Sequence, residues 1–344
     1  MAFTEFQQGD IVLSNDSVAS TLWSNNTPAL TEFFTSSVQM GSSTKEYYTD
    51  VYQTASTDAT AEIQFAIAYC DEEGSGSTFF NALVTGSSAT RSNYGQYRTL
   101  ILGDENADFV FGNVSSSYFY ALNIERARYK ESILPGLTSI VLQNYNSSHT
   151  QTLHLTDDSQ LNQSVVFTDA GRRYNLISGS AGSLSGGALN TQGWSANSGS
   201  YGWLLPDIGV ILLNAKALEA PSGSGGISLQ VTRSFDSASL NANHLLDAFN
   251  SGSSFTLNSN ETLSSDFVFV RARNSDFNYS ENPSFISGST GVVLFPSFVD
   301  NPQTYITTVG LYNNNSELLA VAKLSRPLPK DFTKELLVRV KLDF

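Results

Sequence analysis

Phe267-Val-Phe-Val-Arg-Ala-Arg273, Tyr305-Ile-Thr-Thr-Val-Gly-Leu-Tyr312 and Leu318-Leu-Ala-Val-Ala-Lys-Leu324 are short runs rich in aromatic and β-branched residues. Such runs fit a pleated, half-buried surface. Asn313-Asn-Asn-Ser316 separates the last two and is made of residues that tolerate positive φ, so the pair reads as a β-hairpin. The chain then passes Pro327 and Pro329 and closes in Leu336-Leu-Val-Arg-Val-Lys-Leu-Asp-Phe344. Here Leu336, Val338, Val340, Leu342 and Phe344 share one parity, and Arg339, Lys341 and Asp343 share the other. A period of two places the apolar set on one face of a strand. The closing residues therefore read as a half-buried strand, tied into a sheet and not frayed.

Outward from this module the same pattern recurs. Ile63, Phe65, Ile67 and Tyr69 alternate within Ala61–Cys70, which predicts a strand. Tyr97–Leu102, Asp108–Phe111, Tyr118–Glu125, Ser139–Leu142, Thr152–Leu155, Val165–Phe167 and Tyr174–Ile177 are read as further strands. Residues 208–213 are read as a buried one. Ser178–Gly187 is read as a flexible Gly/Ser loop, and Asp71–Ser77 as a solvated acidic loop. Thr27–Phe34 has the start signals of a short helix, with Thr27 as N-cap and Pro28 at the first helical position. Lys216–Glu219 fits a helical turn. Leu240–Asn250 reads as an amphipathic helix that clusters Leu245, Leu246 and Phe249.

The expected fold is mainly β: two or three β-sandwich-like modules with a few short helices. The expected division is an N-terminal β-rich domain over 1–130, a middle β domain over 131–239, a helical connector over 240–259 and a C-terminal β module over 260–344. Composition agrees with strands and turns. Charged residues are only 15% of the 344-residue chain, against roughly a quarter in typical domains. Ser, Thr, Asn and Gly carry the polarity instead.

The formal net charge is −14 and the pI is about 4.5, which argues against nucleic acid as a partner, since phosphate binding needs a basic field. The single cysteine, Cys70, permits no intrachain disulfide and reads as a small buried side chain. The first residues show no leader pattern and no apolar run is long enough to span a membrane, so neither is expected.

Signals for chemistry are sparse. His149 and His154, with Asp157 and Asp158 nearby, are a weak metal set, because residues five apart on a strand face opposite sides. His244 reads as a surface or packing residue. No Gly-x-Ser-x-Gly elbow lies in a strand–turn–helix setting. The cations stand out more. Arg126, Arg128 and Lys130 form a basic stretch, and Lys323, Arg326, Lys330, Lys334, Arg339 and Lys341 crowd the end of an otherwise acidic chain. With Phe344, these nine cations are the candidate interface residues, because charge contrast sets register between subunits.

Tyr305-Ile-Thr-Thr-Val-Gly-Leu-Tyr-Asn313 and Glu317-Leu-Leu-Ala-Val-Ala-Lys-Leu-Ser-Arg-Pro327 resemble a segment of virion structural proteins from large contractile-tailed bacteriophages of the cyanophage type. Phe277–Phe285 and Leu337–Phe344 are similar to the same family, and the shorter Gly-Leu-Tyr, turn, Glu-Leu-Leu-Ala-Val pattern resembles modules attached to baseplates and tail fibres. The resemblance covers 260–344 and, more weakly, Ile124–Pro135. It carries no catalytic motif. It implies a non-enzymatic building block of a tail or baseplate, located in the virion and assembled in the host cytoplasm. Its partners would be other virion proteins and copies of itself, with no cofactor, membrane, nucleic acid or small-molecule substrate. The alternative is a carbohydrate-binding receptor module that uses Trp194 or Trp203 as a stacking platform. A hydrolase has no positive signal.

Overall fold

The computed structural model describes residues 5–21, 36–41, 45–74, 89–143, 152–161, 164–184, 201–221, 225–233, 238–252, 254–279 and 283–343. Among these the protein is mainly β, with a few helices. The early strands are β1 (Ile11–Thr21), β2 (Ser36–Gly41), β3 (Lys45–Tyr52), β4 (Ile63–Asp71), β5 (Phe109–Phe111), β6 (Val114–Ser116), β7 (Tyr118–Ile124) and β8 (Ser132–Ile133). Then come β9 (Ser139–Gln143), β10 (Thr152–Asp157), β11 (Val166–Thr168), β12 (Gly171–Ser180), β13 (Ser183–Leu184), β14 (Gly202–Leu205) and β15 (Val210–Leu213). The last are β16 (Ser254–Thr256), β17 (Asn258–Ala272), β18 (Thr304–Tyr312), β19 (Leu318–Lys330) and β20 (Leu336–Asp343). The helices are α1 (Thr90–Leu102), α2 (Ala215–Glu219), α3 (Ala238–Gly252) and α4 (Pro296–Asp300).

The chain forms two compact units. Unit 1 is Met1–Ser17 with Thr262–Phe344, and unit 2 is Val18–Glu261. The expected boundary at 130/131 is absent, because unit 2 is organised by one antiparallel sheet of order β16-β9-β10-β12-β14-β15-β7-β4-β3-β2. β7 pairs β4 on one side and β15 on the other, with Tyr120 opposite both Tyr69 and Leu213. Local periodicity predicts each strand, but a pairing between segments some ninety positions apart leaves no mark in it.

Through β14, β15, β7 and β4 both faces of this sheet are buried. On one face Phe65, Ile67 and Tyr69 of β4 join Tyr120, Leu122 and Ile124 of β7 and the apolar side of α3. On the other, Ala68, Cys70, Phe119, Ala121, Trp203 and Leu212 meet α1 and the β5–β6 hairpin. A strand covered on both sides reads as a continuous apolar run, and β15, Val-Ile-Leu-Leu, is buried at all four positions. The sheet also curls. β16 comes first in the order and β4 eighth, so a flat sheet would hold them roughly 34 Å apart. Yet Phe255 and Phe65 have ring centroids 5.5 Å apart, and Phe249 of α3 lies 5.8 Å from Phe65. α3 touches β3, β4, β9 and β16 at once. The helix expected as a connector is thus the core filler of unit 2, with Leu245, Leu246 and Phe249 all buried.

Three local expectations change. Tyr97–Leu102 is not a strand but the second half of α1, because Thr90, Asn93, Tyr94 and Ile101 share the buried side at helical spacing. Tyr94 stacks against Phe109 and Phe119 at 5.4 and 5.5 Å, and Gly103 ends the helix at φ 65 with its N–H bonded to Thr99 O. The first part of Ser178–Gly187 is a hairpin: Ser180 pairs Ser183 across Ala181 (φ 47) and Gly182 (φ 78), a two-residue turn with both positions left-handed. Asp71 is buried at the end of β4 and not solvated. Trp23, His149, Trp194 and the predicted helix at Thr27–Phe34 lie outside the described residues.

Unit 1 is thinner. β17 pairs β1 on one edge and β20 on the other, and β18 pairs β19 in a separate two-stranded sheet. Val268, Val270, Val338, Val340 and Leu342 from the first sheet pack against Val309, Leu311, Ala320 and Ala322 from the second. This small pack of two sheets has the sandwich character expected of the C-terminal module. Unit 2, one sheet covered by helices, does not.

Candidate functional site

The sequence singled out cations, and the structure distributes them. Arg126 and Arg128 lie on a 3-10 turn, not a strand. Arg126 donates to Tyr129 O at 2.7 Å and stacks on that ring at 4.6 Å. Arg128 pairs with Glu62 and reaches Ile63 O, so both act within unit 2, while Lys130 is exposed. In unit 1, Lys334 pairs with Asp331 at 3.1 Å and Lys341 with Asp343 at 3.0 Å. Hydrogen bonds from Thr333 and Lys334 hold the Asp331 carboxyl down at about 2. Arg339 and Lys341 stand over the Phe267 ring at 5.2 and 5.9 Å, covering an outward aromatic on β17 with their stems. Lys323 and Arg326 are exposed on β19. Phe344 lies outside the described residues.

Lys330 is the correction among them. It is fully buried, and its Nζ donates to Asn274 O at 2.9 Å, Asn278 Oδ1 at 2.8 Å and Asp331 O at 3.0 Å. Three donors meet three acceptors, the condition under which such a group tolerates burial. It ties the end of β19 to the turn after β17 and offers nothing to a neighbour. Counting charges along the sequence cannot separate a lysine on a surface from one that plugs a turn.

The surface that sequence reasoning missed is apolar. Alternation along the β18–β19 hairpin sends Val309, Leu311, Ala320 and Ala322 inward. The other side is left with Tyr312, Leu318, Leu319, Val321 and Lys323, of which Leu319 is 68% and Val321 57% exposed. Tyr312 lies across Gly310, where an added Cβ would come within 2.9 Å of the ring. The tip is rigid: Asn313 Oδ1 accepts from the N–H groups of Asn315 and Glu317 at 3.0 and 2.8 Å, and Ser316 holds φ 60. This face was legible in the alternation, because both parities of Leu318–Leu324 carry apolar residues and one of them has to face outward.

A second exposed apolar element lies between β17 and β18. From Pro283 to Asp300 no residue is buried. Phe285 stacks on Phe295 and Phe298 at 5.9 and 5.5 Å, and backbone bonds Ser287 N to Val292 O and Leu294 N to Phe285 O shape a loop. Val292, Leu294, Phe295 and Val299 are about half exposed or more, up to 65% at Val299.

Unit 2 carries the densest polar network. Arg233 donates to both Asp71 oxygens at 2.8 and 2.7 Å, pairs with Glu73 at 3.1 Å and stacks on Tyr118 at 4.5 Å. Tyr118 donates to Glu219 Oε2 at 2.5 Å, and Tyr69 to Asp71. Burial pushes Glu219 above its ordinary value, against the pull of Tyr118 and Arg233. The network fastens the extended segment around Arg233 to the ends of β4 and α2. The Asp157 and Asp158 carboxylates are likewise committed: Asp157 accepts from Gly136 N at 2.8 Å and from Ser159, and Asp158 from Asn175 N and Nδ2 at 2.9 Å. His154 is exposed. His244 is buried, with Nδ1 2.7 Å from Gln230 O. Among the described residues no group of three or more His, Cys, Asp or Glu is arranged to hold a metal, and no helix is long and apolar enough to cross a membrane.

No family model matches the sequence, and no curated protein and no solved structure matches the chain.

Proposed function

We propose that this chain is a non-enzymatic structural component of a particle, acting through protein–protein interfaces built on unit 1. On the resemblance carried by residues 260–344, that particle is the virion of a contractile-tailed bacteriophage, at the tail or baseplate. The observation that supports the interface reading is the outward side of the β18–β19 hairpin. Tyr312, Leu318, Leu319 and Val321 form an apolar face near the tip of the β18–β19 hairpin, and such faces mark association surfaces. Aromatic and aliphatic side chains bordered by charge, here Lys323, are the composition of an interface core and its rim. The partners are other virion proteins and copies of the same chain.

Of the two tryptophans on which the carbohydrate-binding alternative rests, Trp194 lies outside the described residues. Trp203 is 2% exposed, packed between Phe111 and Arg173, and presents no platform.

Quantitative mass spectrometry and antibody-labelled electron microscopy of purified phage particles test the reading. The expected result is a fixed copy number per particle, with label on the tail or baseplate. Absence from purified particles overturns the assignment to the virion.

A further inference from the structure

We infer that the chain associates head to tail with itself. The Pro283–Asp300 arm of one copy docks on the outward face of the β18–β19 hairpin of the next. The inference rests on the assembly reading above and adds to it the partner and the two surfaces.

Three observations carry it. The first is energetic. Holding a segment in one conformation costs backbone entropy at every residue, and this arm buries none of its residues to offset that cost. Its internal contacts include a cluster of three phenylalanines, a bridge between Ile286 and Val293 and a few backbone bonds, and they leave Phe285, Ile286, Val293 and Phe298 only half-buried. An apolar segment of this kind gains its missing burial on docking.

The second is complementarity of charge. From Asn274 to Gln303 the sequence contains no lysine and no arginine, and the one charged residue within the arm is Asp300, with Asp276 ahead of it. The hairpin face carries Lys323 beside Val321, with Arg326 further along the same strand. An apolar arm with one carboxylate and no cation meets an apolar face that bears Lys323, with the opposite charge of Glu317 held at the hairpin tip by Asn313, and this favours arm on sheet over sheet on sheet.

The third is that arm and face are both uncovered by the chain's own described residues, as Leu294 at 52% and Val321 at 57% exposure show. The two surfaces are different, so the contact is heterologous. Repetition closes into a ring or runs on as a filament, depending on the rotation between copies.

The test is sedimentation of the full-length chain across a concentration series, with Leu294→Asp on the arm and Val321→Asp on the hairpin. Both positions are exposed, and circular dichroism melts check that each variant keeps its fold. Wild type is expected to form oligomers whose size grows with concentration. Each variant alone is expected to associate at least about tenfold more weakly. An equimolar mixture of the two is expected to recover a dimer and nothing larger, because one intact arm and one intact face remain in the pair. A monomeric wild type, variants that assemble like wild type, or a mixture that stays monomeric each overturn the inference. Particle content is measured separately. A chain that is monomeric in solution yet stoichiometric in particles sinks the copy-to-copy contact and leaves the virion reading standing. A chain that self-associates but is missing from particles does the reverse.

Discussion

Unit 2 and unit 1 are both antiparallel β structures, yet they spend their apolar residues differently. In unit 2 the middle strands of the sheet are covered on both faces, and α3 sits where the curled sheet meets itself. In unit 1 only the facing sides of two small sheets are covered, with Val268, Leu311 and Val340 fully buried. Several of its other apolar side chains, including Leu13 at 76% and Leu319 at 68% exposure, face outward. Unit 2 uses hydrophobic burial to define itself. Unit 1 keeps part of it in reserve, and an isolated fold derives no stability from surface it does not cover.

The largest effect that separates the two is expected from Phe65→Ala. Phe65 lies between Phe249 and Phe255, closing the curl of the sheet, so removing it opens a cavity and costs unit 2 about 3–5 kcal/mol, read by urea denaturation. A loss near zero breaks the account of the curl. Next in size is Lys330→Met in unit 1. It leaves Asn278 Oδ1 and Asp331 O without this donor, while Asn274 O keeps its bond from Asn278 Nδ2, an expected loss of roughly 1–3 kcal/mol. Hydrogen exchange should show that loss over 274–278 and 330–331, with unit 2 unaffected.

A smaller effect is expected in the acid range. Burial raises Glu219 above its ordinary 4.5, so the folded state holds that proton more tightly than the unfolded chain does. The group's contribution to stability is fully present below about pH 4.5 and is lost as pH rises through its folded value. Glu219→Gln removes this loss. The variant should gain on wild type as pH rises through that window, and parallel pH–stability curves for the two would contradict it. Asp207 runs the other way. Burial raises it, but hydrogen bonds and charge from Arg172 outweigh that and hold it below 3.8, so its contribution is lost as pH falls. The smallest effect is expected from Leu319→Asp. It should change the unfolding free energy by no more than about 0.5 kcal/mol, since the side chain is exposed. A large loss would mean that the outer face of the hairpin is packed after all.

Much of the strand content was legible, because period-two alternation is a local property. β4, β7, β18 and β20 lie where the pattern places them, while β17 starts well before its expected run at Phe267 and β19 continues past Leu324 to Lys330. α1 was misread because Tyr-Arg-Thr-Leu-Ile-Leu is strand-like in composition, while its helical stripe begins earlier, at Thr90. The candidate site was legible only in outline. Basic residues near the end of the chain were visible as letters, but Lys330 turned inward, Arg339 and Lys341 settled on Phe267, and Lys323 and Arg326 remained at the surface. The apolar arm over 283–300 was passed over because an exposed Val-Val-Leu-Phe and a buried one have the same spelling.

The sequence by itself determined that the chain is mainly β, that β20 carries its apolar residues on one face, and that β15 is buried. All three follow from side-chain chemistry read at a period of two or as an unbroken apolar run. Only the tertiary structure decided that one sheet joins residues on both sides of position 130, that α3 fills its core, that a lysine is sealed at the end of β19, and which apolar residues stay uncovered. Those outcomes depend on contacts between residues far apart in the chain. Such contacts are settled by the competition of whole surfaces for burial and not by any local pattern.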